Sequence, residues 1–239
     1  MRALAYVASA EIDLAHGLKD PEQAQAHQGR AELLTPIVKG WITELAQEVT
    51  SLGLQIHGGM GYIEETGAAQ FYRDARILPI YEGTTGIQAL DLVGRKNMAN
   101  GGQLIAQLLT EMASTLDAIE GAGEALNPVA SALRRALSDG QQAQQWLLET
   151  APGDPHAAGS VSVNFMMLFG YLAGGWMMAR SALQAQSLLA AGSSDSDFLQ
   201  AKLLTVRFYC EQLLPRTGAC LAAVVCGSGA TMGLNEAQF

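Results

Sequence analysis

Residues 160–179 contain no charged side chain, in a chain of 239 residues. A run this apolar has two destinations: it crosses a bilayer, or other helices enclose it on every side. Ser162, Asn164, Gly170, Gly174 and Gly175 interrupt the run, and the basic flanks that orient a membrane span are missing. We therefore read it as the buried helix of a bundle rather than an integral membrane segment. The rest of the chain must supply the helices around it.

Helical periodicity is readable along most of the sequence. A first helix covers 2–17, and the polar stretch 19–29 reads as a loop or a frayed helix end. A long helix is expected from Arg30, with Pro36 tolerable only in its first turns. Along it Leu34, Ile37, Val38, Trp41, Leu45, Val49 and Leu52 recur three or four apart and form one apolar face. Trp41 on this face reads as core. Further helices are expected over 66–76 and 84–96, the second turning Ile87, Leu90 and Val93 inward. Asp74 is expected to pair with its neighbouring arginines. The segment 97–102 reads as a linker. Beyond it the periodicity predicts helices over 103–120, 127–150, 159–191 and 197–226, broken by glycine and proline clusters. Short connections favour antiparallel neighbours. No strand candidate survives, Val224-Val225 being too short. The predicted fold class is all-α: a four-helix-bundle-like domain over 1–98, then a second up-and-down helical bundle over 103–239.

Composition narrows the function. The formal net charge of −9, with no cluster of Lys and Arg, excludes a nucleic-acid surface. Cys210, Cys220 and Cys226 follow no zinc spacing, so no metal site is expected. They read as buried free thiols in a reducing compartment, hence a cytoplasmic protein. The N-terminus lacks a signal-peptide pattern, because Glu11 and Asp13 interrupt its apolar run.

The chemistry-bearing stretch is 55–88. Gln55-Ile-His-Gly58-Gly59-Met-Gly61-Tyr62 ends the long helix in a glycine turn, where backbone approaches something closely. Ile80-Tyr81-Glu82-Gly83-Thr84-Thr85 places a carboxylate just before a helix that Thr84 or Thr85 caps. A glutamate there is ordinarily a solvated residue stabilised by the helix dipole. His57 receives no role.

Taken in order, Gln55-x-x-Gly58-Gly59-x-Gly61-Tyr62, Tyr72-Arg73-Asp74-Ala75-Arg76-Ile77, Ile80-Tyr81-Glu82-Gly83-Thr84 and Ile87-Gln88 resemble the C-terminal helical domain of acyl-CoA dehydrogenases. The resemblance covers residues 1 to about 97. The remainder resembles the extra C-terminal helical domain of a longer subgroup, the 3-methylmercaptopropionyl-CoA dehydrogenase-like members. The family's N-terminal helical and middle β domains have no counterpart here, so the chain looks like a C-terminal fragment, incomplete and inactive alone. The resemblance implies α,β-dehydrogenation of an acyl-CoA thioester to a trans-2-enoyl-CoA, with FAD as cofactor and Glu82 as the α-proton base. It implies Gln55, Gly58, Gly59, Thr84 and Gln88 as FAD contacts, and Tyr81, Glu82 and Gly83 as substrate contacts. It also implies an electron-transfer flavoprotein as acceptor and a homodimer or homotetramer. Gly86 departs from the family, which often carries Gln at that position. Two alternatives stay open: a non-catalytic helical assembly module, and an acyl-CoA oxidase that passes electrons to oxygen.

Overall fold

In the computed structural model, which describes residues 1–238, α1 (Arg2–Gly17) leads at once into the longest helix, α2 (Pro21–Ile56). The expected loop over 19–29 is absent. Asp20 caps the new helix by accepting from the N–H groups of Glu22 at 2.9 Å and Gln23 at 3.4 Å, and Pro21 fills the first helical position. Proline costs nothing there, since that N–H has no helical partner. Pro36 consequently lies deep inside α2 rather than in its first turns. It deprives the carbonyl of Glu32 of a helical donor, but Glu32 is on the exposed face, where that carbonyl is open to solvent.

Four shorter helices follow: the single turn α3 (Gly59–Tyr62) inside the expected glycine turn, α4 (Ala68–Arg76) close to where the sequence places it, α5 (Thr85–Asp91), shorter than the expected 84–96, and α6 (Gln103–Glu120), again close to its expected place. Between α5 and α6 the chain forms a π-helical turn (Leu92–Asn97) and a single 3-10 turn. The expected linker is a Schellman stop: Gly102 N–H donates to Asn97 O at 2.8 Å and Gly101 N–H to Met98 O at 3.1 Å. Gln144 then pins this turn by donating to Gly102 O at 2.7 Å. α7 (Asn127–Thr150) and α8 (Ala157–Ala190) are antiparallel neighbours. The last expected helix is broken in two, α9 (Ser196–Phe208) and α10 (Arg216–Val225), because Pro215 has no N–H to continue the ladder. A π turn bridges the break, with Leu214 N–H reaching Tyr209 O at 2.9 Å. The described residues contain no strand.

α8 is the hub. It packs against α2, α7, α9 and α10, and although long and apolar enough to cross a membrane, 78% of its most apolar window is buried inside the fold. Its glycines mark close helix crossings. A side chain at Gly170 would overlap the ring of Trp41, and one at Gly174 would lie 2.8 Å from Trp41 Cη2. Trp41 is fully buried, edge-on to Tyr171 at 5.9 Å between ring centroids. The buried cluster is continuous from Leu4 through Trp41, Leu92 and Met112 to Phe169 and Val224. Arg216 on α10 completes the join to α2, donating to both carboxylate oxygens of Glu48 at 2.7 Å and to Tyr171 OH at 3.0 Å.

Several expected positions differ. Val49 and Leu52 share a helical face with Leu45 but are exposed, because α8 has already crossed α2 before reaching them. Over the stretch expected as one helix, the inward residues are Ala89 in α5 and Leu92 and Val93 in the π-helical turn after it, while Ile87 and Leu90 face out. α5 crosses α2 closely at Gly40, where an added Cβ would sit 3.6 Å from Gln88 Cβ, and the small side chain of Ala89 is the one buried in α5. Asp74 accepts from Gln70, and Arg73 pairs instead with Glu64 at 2.8 Å. All three cysteines are free, yet only Cys210 is buried; Cys220 is half-buried and Cys226 is exposed.

Candidate active site

α2 is the bench on which the motif residues are mounted. From its outer side three polar side chains reach down to segment 75–85. Gln47 Nε2 donates to Ala75 O at 2.6 Å, Lys39 Nζ to Leu78 O at 2.9 Å and Gly83 O at 2.6 Å, and Glu44 accepts from Thr85 Oγ1. These contacts strap an otherwise irregular turn to a rigid helix. Thr84 caps α5, its hydroxyl accepting from Ile87 N–H at 3.4 Å, and Thr85 N–H closes the turn on Pro79 O at 3.1 Å.

Glu82 sits at the apex with φ 52°, alone among the described non-glycine residues in having a positive φ. That conformation costs of order 1–3 kcal/mol and persists only where the surroundings impose it. Gly83 follows at φ 90°, and Gln88 Nε2 donates to Glu82 O at 3.2 Å. The Glu82 carboxylate is exposed and accepts no hydrogen bond from the described residues. Its own N–H likewise has no acceptor among them. One exposed residue thus offers both a free carboxylate and a free N–H at the apex of the turn. Tyr81 beside it is partly exposed, its ring centroid 5.7 Å from Lys39 Nζ.

The glycine turn lies elsewhere on the same helix. Gly58 adopts φ 60°, ψ −147°, a region open essentially only to glycine. Gly61 is buried against the chain itself, since a Cβ there would lie 2.9 Å from His57 Cβ. Gly58 and Gly59, by contrast, have open space around them, and Gln55 is exposed beside them. Ile56, the last residue of α2, is about 25 Å along the axis from Lys39. The structure therefore gathers Tyr81, Glu82, Gly83, Thr84 and Gln88 into one cluster, and sets Gln55, Gly58 and Gly59 apart at the far end of α2. Lys39, Glu44 and Gln47 were not singled out in the sequence. The available signal was a polar stripe, Lys39, Thr43 and Gln47 at four-residue spacing, on a helix otherwise read for its apolar face.

Two family models match this chain, one described as "Acyl-CoA dehydrogenase, C-terminal domain" over residues 5–97 and one as "Acetyl-CoA dehydrogenase C-terminal like" over 108–235. The chain belongs to the acyl-CoA dehydrogenase family. It is 50% identical over 220 residues to a 3-methylmercaptopropionyl-CoA dehydrogenase of Ruegeria pomeroyi, covering 91% of this chain and 37% of that one. Among solved structures it resembles Caenorhabditis elegans ACDH-11 in complex with C11-CoA, with a TM-score of 0.69 and 23% identity over 89% of this chain and 34% of that one. It also resembles a Bacillus anthracis acyl-CoA dehydrogenase complexed with FAD, with a TM-score of 0.65 and 21% identity over 93% and 40%. These two likenesses show the helical fold. The chain spans little more than a third of the length of the curated relatives it matches first.

Proposed function

We propose that this chain is the C-terminal part of an FAD-dependent acyl-CoA dehydrogenase and that Glu82 is the base that removes the substrate's α-proton. The observation that carries this reading is the strained, exposed apex at Glu82, where neither the carboxylate nor the N–H has a partner among the described residues. An α-proton beside a thioester is a weak acid, so a base needs help from a donor aimed at the carbonyl oxygen, where negative charge develops. Glu82 supplies both: the carboxylate takes the α-proton while its N–H holds the thioester oxygen. Tyr81 and Gly83 flank the acyl group.

The residues present fit a flavin dinucleotide. The open backbone at Gly58 and Gly59 admits a flat or charged group, Gln55 offers a free amide, and Thr84 lies exposed beside Glu82. Gln88 is bonded to Glu82 O, so any cofactor contact it makes is shared with that task. FAD, when bound, supplies the acceptor for the β-hydride, which completes formation of a trans-2-enoyl-CoA. The separation of the two residue sets along α2 supports a cofactor reached from two neighbouring copies, hence a homodimer or homotetramer. Exposed Leu52, Ile56, Met60 and Phe71 supply apolar surface for such an assembly or for further parts of a longer polypeptide. An electron-transfer flavoprotein is the acceptor in this reading, and the free thiols support a cytoplasmic setting.

The reading is tested by mixing the longer, FAD-loaded protein with acyl-CoA without oxygen. Bleaching of the flavin with appearance of enoyl-CoA supports it. A flavin that stays oxidised with every acyl-CoA leaves the assembly-module reading. Rapid reoxidation by oxygen rather than by an electron-transfer flavoprotein identifies an oxidase.

A further inference from the structure

We propose that Lys39 is the positioning residue of the Glu82 turn, holding the base and its N–H in register for proton abstraction. The inference rests on the reading of Glu82 as the base. It follows from where the Lys39 ammonium is placed. Its two carbonyl partners, Leu78 O at 2.9 Å and Gly83 O at 2.6 Å, bracket Tyr81 and Glu82 on either side. A single cation on α2 thus ties together both ends of the irregular segment.

The turn has little else to hold it. Besides the backbone bonds that flank it, Tyr81 N–H to Ile77 O and Thr85 N–H to Pro79 O, the apex is fixed by Lys39 on Gly83 O and by Gln88 on Glu82 O. Those two carbonyls belong to the consecutive residues with positive φ, 52° and 90°. Hydrogen bonds from an ammonium are roughly twice as strong as neutral ones, so Lys39 is the stronger of the two constraints. Without it Gly83 is free to rotate, and Glu82 relaxes out of its left-handed conformation, which carries the carboxylate and the N–H away together. The anchorage is rigid at its other end, because α2 packs against α8 through Gly40 and Trp41 next to Lys39. Glu44 and Gln47 hold neighbouring parts of the segment, Thr85 and Ala75, and neither touches the apex carbonyls.

The role predicts a rate effect with binding spared. A displacement of about 1 Å at a reacting group costs on the order of 100-fold. In the longer FAD-loaded protein, Lys39→Met is therefore expected to slow flavin reduction by roughly 10- to 100-fold, with FAD content, acyl-CoA affinity and melting temperature little changed. Lys39→Arg, which keeps a cationic donor, is expected to recover much of the rate. In a Glu82→Gln background the Lys39→Met change is expected to add much less than it does alone, because residues that act as a unit are non-additive. Parent-like reduction by Lys39→Met, or a full multiplicative loss in the Glu82→Gln background, overturns the positioning role. Loss of fold or flavin in both Lys39→Met and Lys39→Gln also overturns it, since Lys39 is then a residue of the fold. Parent-like reduction by Glu82→Gln alone removes the base reading and this inference with it. A slow Glu82→Gln enzyme beside a fast Lys39→Met enzyme removes only the inference.

Discussion

Glu82 and Gly86 show how differently two positions of one turn use the backbone. At Glu82 a side chain occupies a conformation that disfavours it, and the strain is borne where the carboxylate and the N–H both lack partners among the described residues. At Gly86 glycine sits in helix α5 with ordinary φ, and the only atom near an added Cβ is Thr84 Oγ1 at 4.0 Å. No packing in the structure requires the missing side chain. Gly86→Ala is therefore expected to stabilise the protein by about 0.4–1 kcal/mol, through the reduced entropy of the unfolded chain. Chemical denaturation measures this as a higher midpoint at unchanged slope; a lower midpoint means that something unseen here occupies that space.

At the scale of helices, α2 and α8 cross so closely that glycine on one accommodates tryptophan on the other. Gly170→Ala drives a methyl group into the Trp41 ring, which is buried and has no room to withdraw. The expected cost is about 1–3 kcal/mol, read as a lower melting temperature. The Glu48–Arg216 clamp between α2 and α10 is a milder contact. The Arg216 hydrogen bonds hold the Glu48 carboxyl below the ordinary glutamate range. A lowered carboxyl stabilises the fold above its unfolded value and loses that contribution as pH falls through its folded value. Glu48→Gln is therefore expected to destabilise at pH 7 by up to about 1 kcal/mol, since both partners are more than a third exposed. The difference from the parent shrinks below about pH 4, and melting curves at the two pH values measure it. Most helices were legible because glycine and proline punctuate them, as at 121–123 and 152–155. The start of α2 was missed because Asp20 and Pro21 read as turn residues when they are a cap and a first helical residue. Periodicity placed Val49 and Leu52 on the face of Leu45 but carries no information about whether a neighbour covers that face.

At the scale of the molecule, α6, α7, α9 and α10 pack around α8, which lies against α2, and α2 in turn carries the Glu82 turn on one side and the glycine turn at its end. The Glu82 turn was legible from its motif because that motif is local. Lys39 was not, because it meets Leu78 and Gly83 only after the chain has folded back across some forty residues. Likewise, nothing in the spacing of Gln55 and Glu82 tells that a long helix holds them apart. The central claim is that Glu82 is the base, and single-turnover flavin reduction by acyl-CoA in the longer protein tests it most directly. Glu82→Gln keeps the size and the N–H but removes the proton acceptor. General-base catalysis is worth about 10²–10⁴-fold, so a loss of that size is expected while acyl-CoA and FAD binding hold. Flavin reduction by the Gln variant at close to the parent rate contradicts the account.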